Sequence, residues 1–497
     1  MWSALTAGLP LILTPTVLLL AVAGALLGVV IGALPGLSGT MALAIMVTLT
    51  YPLSPAEAFA LLLPTYAAAT FGGSIGAILL NIPGTGAAVM TTFDGTPLRE
   101  QGKAGFAIGV ACVTSFFGGI VSALFLAALA PVVALWALRF GAHEYFAVAI
   151  FGLGVIAYIS PSIGKGLMAA ILGLLLGTIG ADPQTAYPRF TYGETALTSG
   201  LQFVPVMIGL FGVSEIFLSL KQGIIQREVI RQKLTSVLPS VRQLIRLLPT
   251  TLRSTLVGLS IGVLPAAGPT IATVVSYGLE KRFGKNRAQM GRGAPEGIAA
   301  AESANNAATG ASMVPMVALG IPGDAVTAIL IGALMIHGIR PGPAMFLSNG
   351  DVVSSLFLLF IIGNILFLIV GLFAVRYLVR ALDVPPRVLL PTMLLLCVLG
   401  SYAVQNNPFD VLVLFAFGLI GFVMRLLTMP IAPMLLGFIL GPLVEDNLRR
   451  ALMLSDGRVE DFFTRPLSGT LLAITLFVVA SPFVTRLLFR GTSRVQK

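Results

Sequence analysis

Charge is scarce in this 497-residue sequence: Asp, Glu, Lys and Arg together make up 10%, against about 25% in soluble domains. An ordinary water-soluble globular chain is therefore excluded. Cysteine is almost missing too, with only Cys112 and Cys397, both set in apolar runs, which argues against a disulfide framework and reads as packing. Two histidines and no His/Cys/Glu set with metal-ligand spacing leave a zinc enzyme unsupported. Gly262 and Gly268 bracket a glycine-containing turn but lack a Gly-Lys-Ser/Thr ending, so there is no nucleotide loop and no sign of ATP hydrolysis. Short alternating segments of the barrel kind are also missing. Nothing points to nucleic acid or to a resident cofactor.

What fills the space is apolar. Hydrophobic residues make up 57%, mean hydropathy is +0.97, and many runs reach the ~18 residues needed to cross a bilayer. The reading is an all-α polytopic membrane protein with about 10–14 membrane segments. Trp2 to Leu34 has no basic start and is long for a leader, so it reads as a retained first segment. The net charge of +10 either reports positive-inside topology or adds attraction for anionic substrates. Residues 221–253 carry Lys221, Arg227, Arg231, Lys233, Arg242, Arg246 and Arg253 against Glu228 alone. They are read as a basic cytoplasmic linker with interfacial helices. The linker separates a first transmembrane repeat, 1–220, from a second, 254–490.

Two interruptions of the apolar pattern match. Gly32-Ala-Leu-Pro35 is answered by Gly262-Val-Leu-Pro265, and Ile82-Pro83-Gly84 by Ile321-Pro322-Gly323. Gly173-x-x-x-Gly177 matches Gly437-x-x-x-Gly441, which sets Asp182 opposite Asp446. Landmarks in one order imply two structural repeats, inverted or parallel, containing broken helices or re-entrant hairpins. Segment 254–279 is expected to be such a hairpin, with its tip at Leu264-Pro265-Ala266 and arms of about 11–14 residues. Broken backbone at membrane depth is tolerated only where it lines a cavity or packs in protein. Paired breaks point to a transporter's substrate site.

The candidate site residues follow from the breaks. Gly36, Ser38, Gly39 and Thr40, with Thr270 in register, suit an anion at a restarting helix N-terminus; the alternative is a Ser/Thr cap. Asn81, Gly84, Thr85 and Gly323 form the second pair of breaks. Ser74, Asn81 and Asp324 offer oxygens for a sodium ion as coupling ion, while Asp324 is alternatively a helix cap. Glu302, Asn305 and Asn306 fall in one helical turn, either lining a watery cavity that contacts substrate or forming an interhelical hydrogen-bond cluster. Asp94-Gly95-x-Pro97 and His337-Gly338 read as solvated turns at the membrane surface. All four breaks are expected near mid-membrane depth, round one cavity.

Gly32–Thr40, Gly72-Gly-Ser-Ile75, Asn81–Thr85, Asp94–Pro97, Glu302–Asn306, Gly320–Gly323 and Gly338–Pro343 together resemble the large membrane subunit of tripartite tricarboxylate transporters, the TctA family. The likeness runs from about residue 10 to about 470. It implies a multi-pass protein of the bacterial inner membrane that imports tri- or dicarboxylates such as citrate, driven by sodium or protons. It implies two partners, a small four-helix membrane subunit and a periplasmic solute-binding protein, and no enzymatic activity. A channel or a non-transporting membrane scaffold is the alternative; a scaffold does not need matched breaks.

Overall fold

Two helices are buried on every side and set the positions of the rest. The computed structural model describes residues 7–34, 37–160, 162–222, 237–265, 267–378 and 386–489. Their regular structure is helical except for one two-stranded hairpin. In chain order the helices used below are α1 Pro15–Ala33, α2 Gly39–Leu49, α3 Pro55–Leu80, α4 Val89–Glu100, α5 Ala104–Ala137, α6 Ala142–Ile159, α7 Ile163–Leu176, α8 Phe203–Lys221, α9 Val241–Gly262, α10 Gly268–Phe283, α11 Pro295–Leu319, α12 Ala325–Ile336, α13 Gly350–Tyr377, α14 Pro386–Gln405, α15 Pro408–Leu426, α16 Ile431–Leu454 and α17 Pro466–Phe489. Among the described residues seven of these (α1, α3, α5, α8, α13, α15 and α16) are long and apolar enough to cross a membrane.

The chain forms two compact units, Met1–Ala137 with Val204–Phe422 and Leu138–Phe203 with Val423–Lys497. In the first unit α3 starts at a capping box, with the Ser54 N–H donating to Glu57 at 2.9 Å, and Pro55 in the first turn. It stops at Asn81, whose φ of 57° is left-handed, a conformation asparagine tolerates better than most residues. The helix α11 stops the same way at Gly320, φ 72°. Both are buried round their whole circumference, as a helix without a polar face must be. Yet α11 carries Glu302, Ser303, Asn305, Asn306, Thr309 and Ser312, all with no exposed surface.

Small residues let neighbours reach the backbone of these two helices. Gly24, Gly28 and Gly32 of α1 sit on the carbonyls of Leu61, Thr65 and Ala69 of α3, where a Cβ would come within 2.3, 2.6 and 2.3 Å. Gly258 and Gly262 of α9 sit likewise on Ala304 and Ala308 of α11, at 2.5 and 2.7 Å. On α5, Gly118 meets Ser303 of α11, and on α13, Gly363 meets Pro64 of α3. Gly119 of α5 faces Asn364 of α13, while Cys112 meets Leu368 and Gly371, so α5 and α13 run antiparallel.

The hairpin expected over 254–279 is a longer device. Its first arm is the 22-residue α9, begun at a capping box between Ser240 and Gln243. The arm extends beyond expectation because Arg242, Arg246 and Arg253 lie along an amphipathic helix and do not end it. The remainder of the expected linker lies partly outside the described residues, over 223–236.

In the second unit α7 and α16 pack parallel, with Gly173 on Met434 O and Gly437 on Ala170 O. Beyond α7 a hairpin pairs Gly180–Ala181 with Pro188–Arg189. Asp182 is its knot: its carboxylate accepts from the N–H groups of Gln184 and Thr185, both at 2.9 Å, and from Arg449 at 2.9 Å. Arg449 and Arg189 also share Glu445. The backbone N–H of Thr185 first, then that of Gln184, hold the Asp182 carboxyl well below its ordinary range. A carboxyl with a lower pKa folded than unfolded stabilises above its unfolded value, about 3.9, and that contribution is lost as pH falls further. Hydrogen-exchange protection of the Gln184 and Thr185 amides should hold from pH 7 to about 5 and decline below about 4. Protection that is flat with pH, or falls near neutrality, would assign the hairpin to other contacts.

Candidate functional site

Each expected break is present in the first unit as a helix end followed by a new helix start. The first lies between α1 and Gly39, the second between α3 and the short turn Gly86–Ala88 that leads into α4, the third between α9 and Gly268, the fourth between α11 and Ala325. Helix starts leave backbone N–H groups without intrahelical partners and carry the positive end of the helix dipole. The local sequence caps three of them. Ser38 Oγ accepts from Met41 N–H at 3.1 Å, Thr85 Oγ1 from Ala88 N–H at 3.3 Å, and Asp324 Oδ1 from Thr327 N–H at 2.7 Å.

Backbone contacts join the breaks in series. Gly84 lies on the Gly32 carbonyl, where a Cβ would sit 2.1 Å away. A Cβ on Gly86 would lie 3.3 Å from Thr270 Oγ1, and one on Gly268 3.2 Å from Asp324 Cβ. The helices α2 and α12, which open after the first and fourth breaks, also pack on each other. Thr270, Gly86 and Asn81 are exposed; Ser38, Thr40, Thr85 and Asp324 are half-buried; Gly39, Gly84 and Gly323 are buried. Gly36 lies outside the described residues.

The residues expected to hold sodium do not form one cluster of free oxygens. Ser74 Oγ donates to Phe71 O at 2.6 Å, and Asn81 Oδ1 accepts from Thr96 at 3.0 Å. Asp324 caps α12 and accepts from Tyr66 Oη at 2.8 Å. Among the described residues no group of three or more His, Cys, Asp or Glu could hold a metal ion.

Asp94 departs from expectation. It is not a solvated turn residue but lies fully buried in α4. Its Oδ1 accepts from the N–H groups of Gly291, Gly293 and Ala294 at 2.8, 3.0 and 2.8 Å, and its Oδ2 from Tyr277 Oη at 2.8 Å. Three converging amides form a nest that neutralises an anion without a cation, and α4 runs on through Gly95 and Pro97 to Glu100. His337 is half-buried and ends α12.

Sequence reasoning did not find the partners of Glu302, which are Thr91 Oγ1 on α4 and Ser115 Oγ on α5, the latter at 3.1 Å. Asn305 is fully buried with neither amide atom bonded, and Asn306 Oδ1 is likewise unmet. A polar cleft of about 450 Å³ lies elsewhere, lined by Lys103, Gln243, Arg246, Arg292 and Glu296 among others. It opens beside the start of α11, whereas the fourth break lies at the end of that helix.

The description "Tripartite tricarboxylate transporter TctA family" matches residues 18–436. The chain belongs to the TctA family. Membership makes it a multi-pass membrane protein, part of a transport system and not an enzyme. It is 39% identical over 478 residues to an uncharacterized 52.8 kDa protein in the TAR-I ttuC' 3' region of Agrobacterium vitis, covering 96% of this chain and 95% of that one. It is 40% identical over 222 residues to an uncharacterized protein in the TAR-II ttuC' 3' region of the same organism, covering 45% of this chain and 92% of that one. No solved structure matches. The family match takes in all four breaks and Glu302, and stops inside α16.

Proposed function

We propose that this TctA-family chain is the translocating subunit of an inner-membrane importer for tri- or dicarboxylates, driven by a sodium or proton gradient. Its partners are a small four-helix membrane subunit and a periplasmic solute-binding protein. The observation that carries the reading is the contact series through Gly32, Gly84, Gly86, Thr270, Gly268 and Asp324. Helix starts of the second, third and fourth breaks meet there beside the last turn of α1, and such starts favour carboxylates. Thr85 and Thr270 supply hydroxyls to the same region, and Ser38 and Thr40 supply them at the start of α2.

We further infer that the first unit is built from inverted repeats. The contacts Gly28–Thr65 and Gly258–Ala304 are related by offsets of 230 and 239 residues, as are Gly32–Ala69 and Gly262–Ala308. The cross-contacts Gly118–Ser303 and Gly363–Pro64 exchange partners under offsets of 245 and 239, and Gly119–Asn364 maps onto itself. A two-fold axis through antiparallel α5 and α13 accounts for all of these. The repeat is proposed for residues 15–137 and 241–378, within the first unit.

The test is uptake of labelled citrate and other tri- and dicarboxylates into vesicles carrying the three-part complex under an imposed ion gradient. Concentrative uptake that an ionophore abolishes is the expected result. Uptake indifferent to every gradient would sink the coupling, and none at all with any carboxylate would return the chain to the scaffold reading.

A further inference from the structure

The first unit buries several carboxylates, among them Asp94, Glu280, Glu296, Glu302 and Asp410, and half-buries Asp324. Asp94 sits in a nest of three amides, and Asp324 sits at a helix start with Thr327 N–H and Tyr66 Oη. Glu302 differs. It has no exposed surface, and its side-chain hydrogen bonds come from two neutral hydroxyls, Thr91 and Ser115. Among the described residues no Lys, Arg or His is paired with it.

Several ionisable groups on the helices packed against α11 are engaged elsewhere. Asp94 on α4 holds Tyr277 on α10, and Arg253 on α9 holds Glu280 on α10. Arg99 on α4 donates to Leu79 O, Cys112 on α5 to Leu368 O, and Tyr66 on α3 to Asp324. An ionised carboxylate buried without a counter-charge is too costly to persist. Glu302 must therefore carry a cation whenever it is enclosed.

A second observation points to the same place. One helical turn on, the Asn305 amide lies beside the Glu302 carboxylate without reaching hydrogen-bond geometry. Fully buried with oxygen and nitrogen both unbonded, it is a group for which burial costs about 1–3 kcal/mol unless a partner arrives. Its oxygen, with the lone pairs of two hydroxyls and the carboxylate, offers acceptors only. Thr91 stands five residues beyond Gly86, so the helix beginning at the second break is tied directly to Glu302.

We propose that Glu302, with Thr91, Ser115 and Asn305, binds the monovalent cation that drives import, a proton or a sodium ion. The proposal rests on the import reading and assigns its coupling site to a residue outside the breaks. Binding neutralises the carboxylate, and release requires water to reach it, so a cation crosses only when the surrounding helices rearrange.

The experiment uses vesicles with the complete complex, following labelled citrate together with ²²Na⁺ and a lumenal pH dye. Wild type should co-import one of the two cations, and which signal moves tells proton from sodium. Glu302→Gln should lose that signal and cut concentrative citrate uptake at least tenfold. Glu302→Asp, which keeps the charge in a shorter side chain, should restore uptake while shifting its half-maximal pH or sodium concentration at least threefold. Wild-type co-transport in Glu302→Gln, or an unshifted profile in Glu302→Asp, overturns the assignment while leaving import intact. A wild type that moves no carboxylate overturns the import reading itself.

Discussion

Uptake should disappear in Gly84→Leu and fall at least tenfold in Gly84→Ala, with the protein still inserted at wild-type abundance. A Cβ at this position would lie 2.1 Å from the Gly32 carbonyl oxygen and 3.0 Å from Gly73 Cα. Both are backbone, so no rotamer change relieves the clash, and the second break has to move away from the first. Overpacking of this kind costs about 1–3 kcal/mol, and each ~1.4 kcal/mol taken from the binding geometry is a factor of ten. Gly86→Ala is the contrasting variant. Its Cβ would meet Thr270 Oγ1 at 3.3 Å, a contact that a small shift relieves. It should weaken uptake without changing thermal stability. Normal uptake in Gly84→Leu would show that the junction of the breaks is not where transport happens.

Asp94→Ala should lower stability by about 3–5 kcal/mol, the range for breaking a buried charged network. Four donors converge on that carboxylate: three amides from the segment between α10 and α11, and Tyr277. Alanine leaves all four unmet, the Ala294 N–H and Tyr277 Oη in buried surroundings, at about 1–3 kcal/mol for each one that water cannot reach. Asp94→Asn keeps the shape and one acceptor oxygen for the amides, so its loss should be smaller, about 1–2 kcal/mol. Thermal unfolding of the purified protein in detergent measures both. Equal stability of Asp94→Ala and wild type would mean that water already satisfies the nest.

The breaks were legible because proline and glycine act on their own backbone. Pro83 and Pro322 interrupt hydrogen bonding wherever they stand in a helix, and their echoes needed no tertiary information. The close approach of α1 to α3 was legible in kind, from small residues, but its register was not. That Gly28 lies on Thr65 and Gly258 on Ala304 depends on which carbonyls meet. Asp94 was misread because its partners lie about two hundred residues away, and backbone amides leave no mark in a sequence. Glu302 stood out as an acid in an apolar run. Its character as a carboxylate without a cation depends on Thr91 and Ser115 arriving from two other helices. The apolar segment Gly297–Gly310 likewise gave no hint that its helix is enclosed by protein on all sides, since burial in lipid and burial in protein favour the same residues.

The most direct test of the substrate site is protection of a single cysteine. Thr270 is exposed beside Gly86, whereas Cys112 and Cys397 are buried, so Thr270→Cys should provide the reactive thiol for a charged maleimide. In membranes carrying the complete complex, citrate or another transported carboxylate with the coupling cation is expected to slow that modification at least fivefold, while a non-transported anion leaves it unchanged. Modification at the same rate with every carboxylate present would contradict the claim that the four breaks form the carboxylate site.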